Sequence, residues 1–220
     1  MLKKYFLFLF FLLVLPMTAQ NVIFKVGGGW AKHDSNSKAV GAFKLGVGYE
    51  YEFSQRWTVT PALQFYGKGW KDHDRTVPVY DDHGQQLVDE EGNLVFGLMG
   101  RSTSANYLQL PLLFNYYHRV GEGRYIVCSV GPYVGYGLWG KVKTKGDTER
   151  AGAEKLYYSG KTFDEPGTHR LEAGCQLMVG YQFHRSITIG LEADLGWTHF
   201  NTAGRRNQSA LITLSYHLNP

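Results

Sequence analysis

Two short runs near the middle of the chain hold the residue types that bind divalent metals, Asp72-His73-Asp74 and Asp81-Asp82-His83. Carboxylate oxygens and imidazole nitrogens together suit such ions. Nothing in the spacing fixes a coordination geometry, though. Asp81-Asp82-His83-Gly84 and Asp89-Glu90-Glu91-Gly92 read as two turns, where Asp and Gly are ordinary residues. No metal site and no cofactor are expected. Acid-base catalysis asks for a base within about 3 Å of its nucleophile. Ser129 falls on an inward face, whereas His184 and His217 fall at the far rim, so no Ser–His–acid set comes together. The chain has no G-x-S-x-G turn, paired-Cys motif, phosphate loop or nucleic-acid signature. An enzyme is not expected, with a lipid-modifying barrel enzyme kept as the last alternative, and no catalytic residue is assigned.

The remaining charges form a different pattern. Lys25, Lys44 and Arg170 share an inward face with Glu50, Glu52, Glu172, Glu192 and Asp194. Charges taken out of water must be paired or hydrated. They are therefore expected to form an internal ion-pair network, with a narrow ion path as the functional alternative. Arg56, His118-Arg119 and His184-Arg185 sit at short turns, where contact with lipid phosphates competes with plain solvation.

The elements that must hold these residues follow from alternation. Met1 to Lys4 is a short basic start, Tyr5 to Pro16 is almost wholly apolar, and Met17-Thr18-Ala19 offers a cleavage site before Gln20. This is the layout of a secretory signal peptide, too short for a spanning helix. Removing Lys3 and Lys4 takes the formal charge from +4 to +2, so no strongly charged partner is implied. Glycine is abundant, and aromatic residues make up 15% of the chain. Eight period-two segments follow: Val22–Trp30, Val40–Phe53, Trp57–Gly67, Asn106–Tyr117, Tyr125–Trp139, His169–Phe183, Ile187–Trp197 and Ser209–Leu218. In Val40–Phe53, Phe43, Leu45, Val47, Tyr49, Tyr51 and Phe53 alternate with Lys44, Gly46, Gly48, Glu50 and Glu52.

Short connections (54–56, 118–124, 184–186) alternate strictly with long ones (31–39, 68–105, 140–168, 198–208). That is the pattern of periplasmic turns and extracellular loops. A soluble eight-stranded barrel would share the alternation, so aromatic placement decides between them. Trp30, Trp70, Trp139 and Trp197 fall at one end of the strands; Trp57, Tyr116, Tyr181 and Tyr216 fall at the other. Two aromatic bands around an apolar zone are what membrane interfaces select. Cys128 and Cys175 fall on neighbouring strands at different heights, facing outward, so no disulfide is expected.

Pro111 conflicts with a plain strand, because proline removes a ladder hydrogen bond. Here Tyr107-Leu108-Gln109-Leu110-Pro111-Leu112-Leu113, followed by Gly131-Pro132-Tyr133-Val134-Gly135-Tyr136, resembles the PorT-like family of small outer-membrane β-barrels. In that family the first element is the fourth strand and the second is the fifth, and both land on those strands here. The resemblance implies a structural motif at Tyr107, Pro111, Gly131, Pro132 and Tyr133, and a link of one founding member to protein export.

Taken together, residues 1–19 are expected to be a signal peptide. Residues 20–220 are expected to form an all-β, eight-stranded antiparallel up-and-down barrel in the outer membrane of a Gram-negative cell. Eight strands leave an interior that side chains fill, which disfavours an open pore. Function then falls to the loops. Residues 77–98 suggest a meander, and Lys141, Lys143, Lys145, Arg150 and Tyr157-Tyr158 mix basic and aromatic groups. Outer-membrane lipid is the expected surrounding. Surface polysaccharide or a protein partner could be met through 68–105 and 140–168; nucleic acid is not expected. A structural or surface-binding role is the first expectation, and an accessory role in protein export is the alternative.

Overall fold

The computed structural model describes residues 22–33, 37–81, 83–148, 154–202 and 204–218. The expected signal peptide, Asp82 and Arg150 lie outside the described residues. Eight long strands carry the architecture: β1 (Val22–His33), β2 (Val40–Tyr49, continued by Tyr51–Ser54), β3 (Trp57–Asp72) and β4 (Phe96–Gly121). They continue with β5 (Arg124–Trp139), β6 (Leu171–Phe183), β7 (Ile187–Gly196) and β8 (Asn207–His217). Each pairs antiparallel with its neighbours in sequence, and β1 pairs with β8, which closes the ring. Closure leaves the eight-stranded ring without an open edge, a condition for spanning lipid with strands. Among the described residues no helix is long and apolar enough to cross a membrane.

The two faces are inverted relative to a soluble barrel. Val26, Leu45, Leu110, Val134, Leu191 and Ile212 point outward and are exposed, while Lys44, Gln64, Gln109, Gln176, Glu192 and Asp194 point inward and are buried. A lipid solvent explains this; water would not.

Trp30, Trp139 and Trp197 stand exposed near the extracellular ends of β1, β5 and β7. Trp57 contacts Tyr116 at 4.9 Å, and Tyr181 and Tyr216 lie toward the same periplasmic end. Trp70 corrects the expectation for the outer rim. It is buried at 5% exposure inside the barrel. Along β3 the even positions Thr58, Thr60, Gln64, Tyr66 and Lys68 all face the lumen, so parity carries Trp70 inward with them.

Three strands run beyond the reach of the sequence pattern: β1 to His33, β3 to Asp72, and β4 from Phe96 instead of Asn106. Above the lipid an outward side chain need not be apolar. Alternation therefore fades at Lys32, Lys71 and Arg101 while backbone pairing continues. On the extended part of β4, Arg75–Pro78 pairs with one edge and Lys141–Asp147 with the other. Glu154–Lys161 pairs with Lys141–Asp147, so a small sheet stands above the membrane.

The second long connection continues as a meander, with bridges between Tyr80 and Gln86 and between Val88 and Leu94. At its tips Gly84 and Gly92 take positive φ, the conformation glycine enters without a Cβ clash. Asp81 accepts the N–H groups of His83 and Gln85, and Asp89 those of Glu91 and Asn93.

The prolines fall at interruptions in the ladders. Pro61 faces Leu112 and Pro111 faces Tyr133, and Pro132 falls in the gap between Val130 and Tyr133 on the other side of the β4–β5 ladder. Pairing of β3 with β4 skips from Pro61 to Gln64, and that of β4 with β5 from Pro111 to Phe114. The missing N–H donors fall where the ladder is already open. Cys128 aligns with Val179 and Cys175 with Pro132, four positions apart on β6, and both thiols are free. At about 3.3 Å per residue, that offset is roughly 13 Å, beyond disulfide reach.

Candidate functional site: an ion-paired lumen under a basic outer mouth

The lumen is filled in layers. Near the periplasmic end, Glu50 accepts hydrogen bonds from Thr58 Oγ1 at 2.6 Å and Tyr117 OH at 2.5 Å, with His217 Nδ1 at 3.4 Å. Asn115 Nδ2 donates to Thr58 Oγ1 at 2.9 Å and Thr60 Oγ1 at 2.8 Å. In the middle layer, Lys25 Nζ meets Glu192 at 2.8 Å, and Lys44 Nζ meets Glu192 at 2.6 Å and Asp194 at 2.5 Å. Lys68 Nζ meets Glu172 at 2.6 Å, and Glu172 also accepts from Tyr133 OH and Asn207 Nδ2, both at 2.7 Å.

The cations lean on rings as well. Lys44 lies 4.4 Å from the centroid of Tyr66, and Lys68 lies 4.4 Å from that of Tyr107. Three ammonium groups thus face three carboxylates inside the barrel, and the middle of the lumen is formally neutral.

Of the residues expected to form the network, Lys25, Lys44, Glu192 and Asp194 meet directly. Glu172 pairs with Lys68, whose surroundings in the sequence read as the start of a loop. Because β3 continues to Asp72, Lys68 is a strand position with lumenal parity. The even-numbered run from Thr58 was the signal that could have found it. Glu50 belongs to the separate periplasmic layer.

Two expected members stand elsewhere. Arg170 precedes β6 at the mouth, donating to the carbonyls of Gly137 at 3.1 Å and Leu138 at 3.2 Å and stacking 5.1 Å over Phe163. Glu52 lies in the continuation of β2, which is exposed on both faces because the strand breaks at Glu50.

Two of the motif residues, Tyr107 on β4 and Tyr133 on β5, meet the Lys68–Glu172 pair. Tyr107 supplies the ring beside Lys68, and Tyr133 supplies the hydroxyl to Glu172. Pro111 and Tyr133 are register partners. Any Cβ at Gly131 would run into the backbone carbonyl of Leu112, so glycine there permits close approach of β4 and β5.

Above the charges lies an aromatic cap. His33 stacks on Trp70 at 3.6 Å, Trp70 meets Phe200 edge-on at 4.5 Å, and Phe163 meets Tyr107 edge-on at 5.6 Å. Over this cap opens a cavity of about 350 Å³, whose polar lining includes Asp72, His73, Arg75, Arg101, Asn201 and Arg205. Arg101 pairs with Glu165 at 2.9 Å. The Tyr158 hydroxyl donates to the same carboxylate, which raises the pKa of that phenol.

The metal-type residues are placed as follows. Asp74 is held by Lys38 at 2.7 Å and Lys71 at 3.2 Å, and those hydrogen bonds, Lys38 first, lower its pKa. Asp89 has its pKa lowered by hydrogen bonds from Asn93. Asp81 is occupied by its turn. Among the described residues no three His, Cys, Asp or Glu gather around a point a metal could occupy.

In a comparison with solved structures, the attachment invasion locus protein of Yersinia pestis aligns at 13% identity and a TM-score of 0.40, over 89% of this chain and 95% of that one. The N-terminal β-barrel domain of Pseudomonas aeruginosa OprF aligns at 10% identity and a TM-score of 0.38, over 90% and 97%. No curated protein matches the chain in sequence. Residues 17–200 match the family model described as outer membrane protein beta-barrel domain; the chain belongs to that family and resides in the outer membrane.

Proposed function

We propose that the protein is a non-conducting, non-enzymatic surface barrel, of the PorT-like kind, that binds a ligand outside the cell through its long loops. One contrast carries the reading. The transmembrane lumen is filled by paired charges under an aromatic cap, whereas the loops form a paired sheet and a 350 Å³ cavity that opens outward. Small-molecule sites are concave clefts of roughly this size or larger. Export would use the first 19 residues, giving a mature chain that begins at Gln20; N-terminal sequencing of outer-membrane material checks this.

Two measurements test the main reading. Planar bilayers containing the purified protein should show no steady single-channel current. Cells displaying it should bind immobilised polysaccharide in a way that is lost when residues 73–98 and 141–161 are replaced by short linkers. No binding by the intact protein, or binding that persists in the linker variant, would end the surface-binding reading.

A second reading, an accessory role in protein export, draws on the edge strand Glu154–Lys161, whose Leu156, Tyr157 and Tyr158 are about half exposed. An exposed strand edge with apolar side chains can accept a strand from a partner. Co-purification of export components from solubilised outer membrane, lost on Leu156→Lys, supports that reading over the first.

A further inference from the structure

Arg75 and Arg205 both line the outer cavity, and neither guanidinium has a carboxylate partner among the described residues. Arg101, the third arginine of the lining, is already paired with Glu165. The Asp72 carboxylate lines the same space without a hydrogen-bond partner among the described residues. Among the described lining residues, two free guanidinium groups against one free carboxylate leave a surplus of one permanent positive charge.

The lining also holds the neutral polar residues Thr168, Asn201 and Thr202 beside a floor of Trp70 and Phe200. Planar guanidinium groups recognise carboxylates and sulfate or phosphate esters through two parallel hydrogen bonds. A free carboxylate beside them accepts hydroxyl protons, and amide and hydroxyl side chains do the same in both directions.

Resting on the surface-binding reading above, we infer that this cavity takes a single acidic sugar unit. Its one anionic group lies on Arg75 and Arg205, and its hydroxyl groups are shared by Asp72 and Asn201. The volume of about 350 Å³ fits one such unit and not a run of them, so it would be the end or a side branch of a surface glycan. The surplus of one charge selects a monoanion. Asp72 selects a hydroxylated ligand over a bare anion, because a carboxylate repels an inorganic anion but accepts from an alcohol. Carboxylate and sulfate ester are both within this chemistry.

The test is calorimetry on the full mature protein in neutral detergent with four probes: glucuronate, glucose 6-sulfate, methyl glucoside and inorganic sulfate. Saturable binding of at least one acidic sugar is expected, at least tenfold tighter than methyl glucoside or inorganic sulfate. Whichever acidic sugar binds tighter identifies the anion. Arg75→Gln with Arg205→Gln should weaken it at least tenfold, whereas Arg119→Gln, at the periplasmic end of β4, should leave it unchanged. Retained heat-modifiable mobility on gels shows that the variants are folded, and the two single variants give the same direction should the double fail to fold.

The inference is overturned if neither acidic sugar binds, if either control binds as tightly, or if the arginine variants bind like the wild type. Cell binding to polysaccharide that persists in those variants would remove this ligand assignment alone. Cell binding that also survives loop replacement would remove the reading on which it rests.

Discussion

Lys44 places its ammonium between Glu192 and Asp194 with no exposed side-chain surface, and Glu192 also holds Lys25. Replacing both members of a buried pair by apolar groups can be nearly neutral, but removing one leaves a charge stranded away from water. Lys44→Met should therefore destabilise the folded barrel by about 3–5 kcal/mol. Urea unfolding from lipid vesicles measures this, and a change within error of wild type would show that the network contributes no stability. Tyr133→Phe removes only one donor to Glu172, which keeps Lys68 and Asn207, so a smaller loss of about 1–2 kcal/mol is expected.

At the loop surface, Asp74 gains its hydrogen bonds in the ionised form, which lowers its pKa. The stability it contributes is present above the unfolded Asp value and is lost as pH falls through the depressed folded value. Carbon-detected titration of Asp74 should give a midpoint below the ordinary Asp value of 3.8, moving up toward it in Lys38→Ala. The lysine's hydrogen bond is the largest cause of the shift.

At the scale of elements, β4 and β5 are the pair under the tightest constraint. Pro111 and Pro132 withdraw two ladder donors, and Gly131 lets the Leu112 carbonyl come close. Gly131→Val would force those strands apart at mid-membrane, a change that neither strand can absorb by a side-chain rotation. Overpacking of this kind costs about 1–3 kcal/mol. The expected sign is a lower yield of heat-modifiable barrel and a lower urea midpoint. The meander behaves differently, because its turns stand above the lipid. Asp81→Ala removes the acceptor for His83 and Gln85. It should loosen the tip, raising amide exchange at residues 83–86, while leaving the urea midpoint of the barrel where it was.

For the whole molecule, the proposed non-conducting scaffold rests on two seals, neutralised charge in the middle and aromatic packing at the top. Removing one seal should not open a path. Trp70→Ala with Phe200→Ala takes away the cap but leaves the Lys44 and Lys68 ion pairs across the lumen. Bilayers carrying that variant should stay at baseline current. A steady conductance would show that the cap alone closes a channel. The order of the strands follows from the same economy of connections. Every neighbour in sequence is a neighbour in space, so the ring closes without a crossover.

Strand number, the alternation of short and long connections, and which face meets lipid were all determined by the sequence. Period two is a local property, and a membrane demands it over every crossing. The inward placement of Lys25, Lys44, Glu192 and Asp194 was legible for that reason. Local pattern fades where the outward face leaves the lipid. That is why the true length of β3, and with it Lys68 and Trp70, had to come from the fold. Pairing across the lumen was also beyond the sequence. Lys25 and Glu192 are 167 residues apart, and their meeting depends on the closure of β1 on β8 and on the register of both. The outer cavity is decided in the same way. Arg75, Arg101 and Arg205 come from three segments that carry no common spacing, and only the closed ring brings them to one mouth.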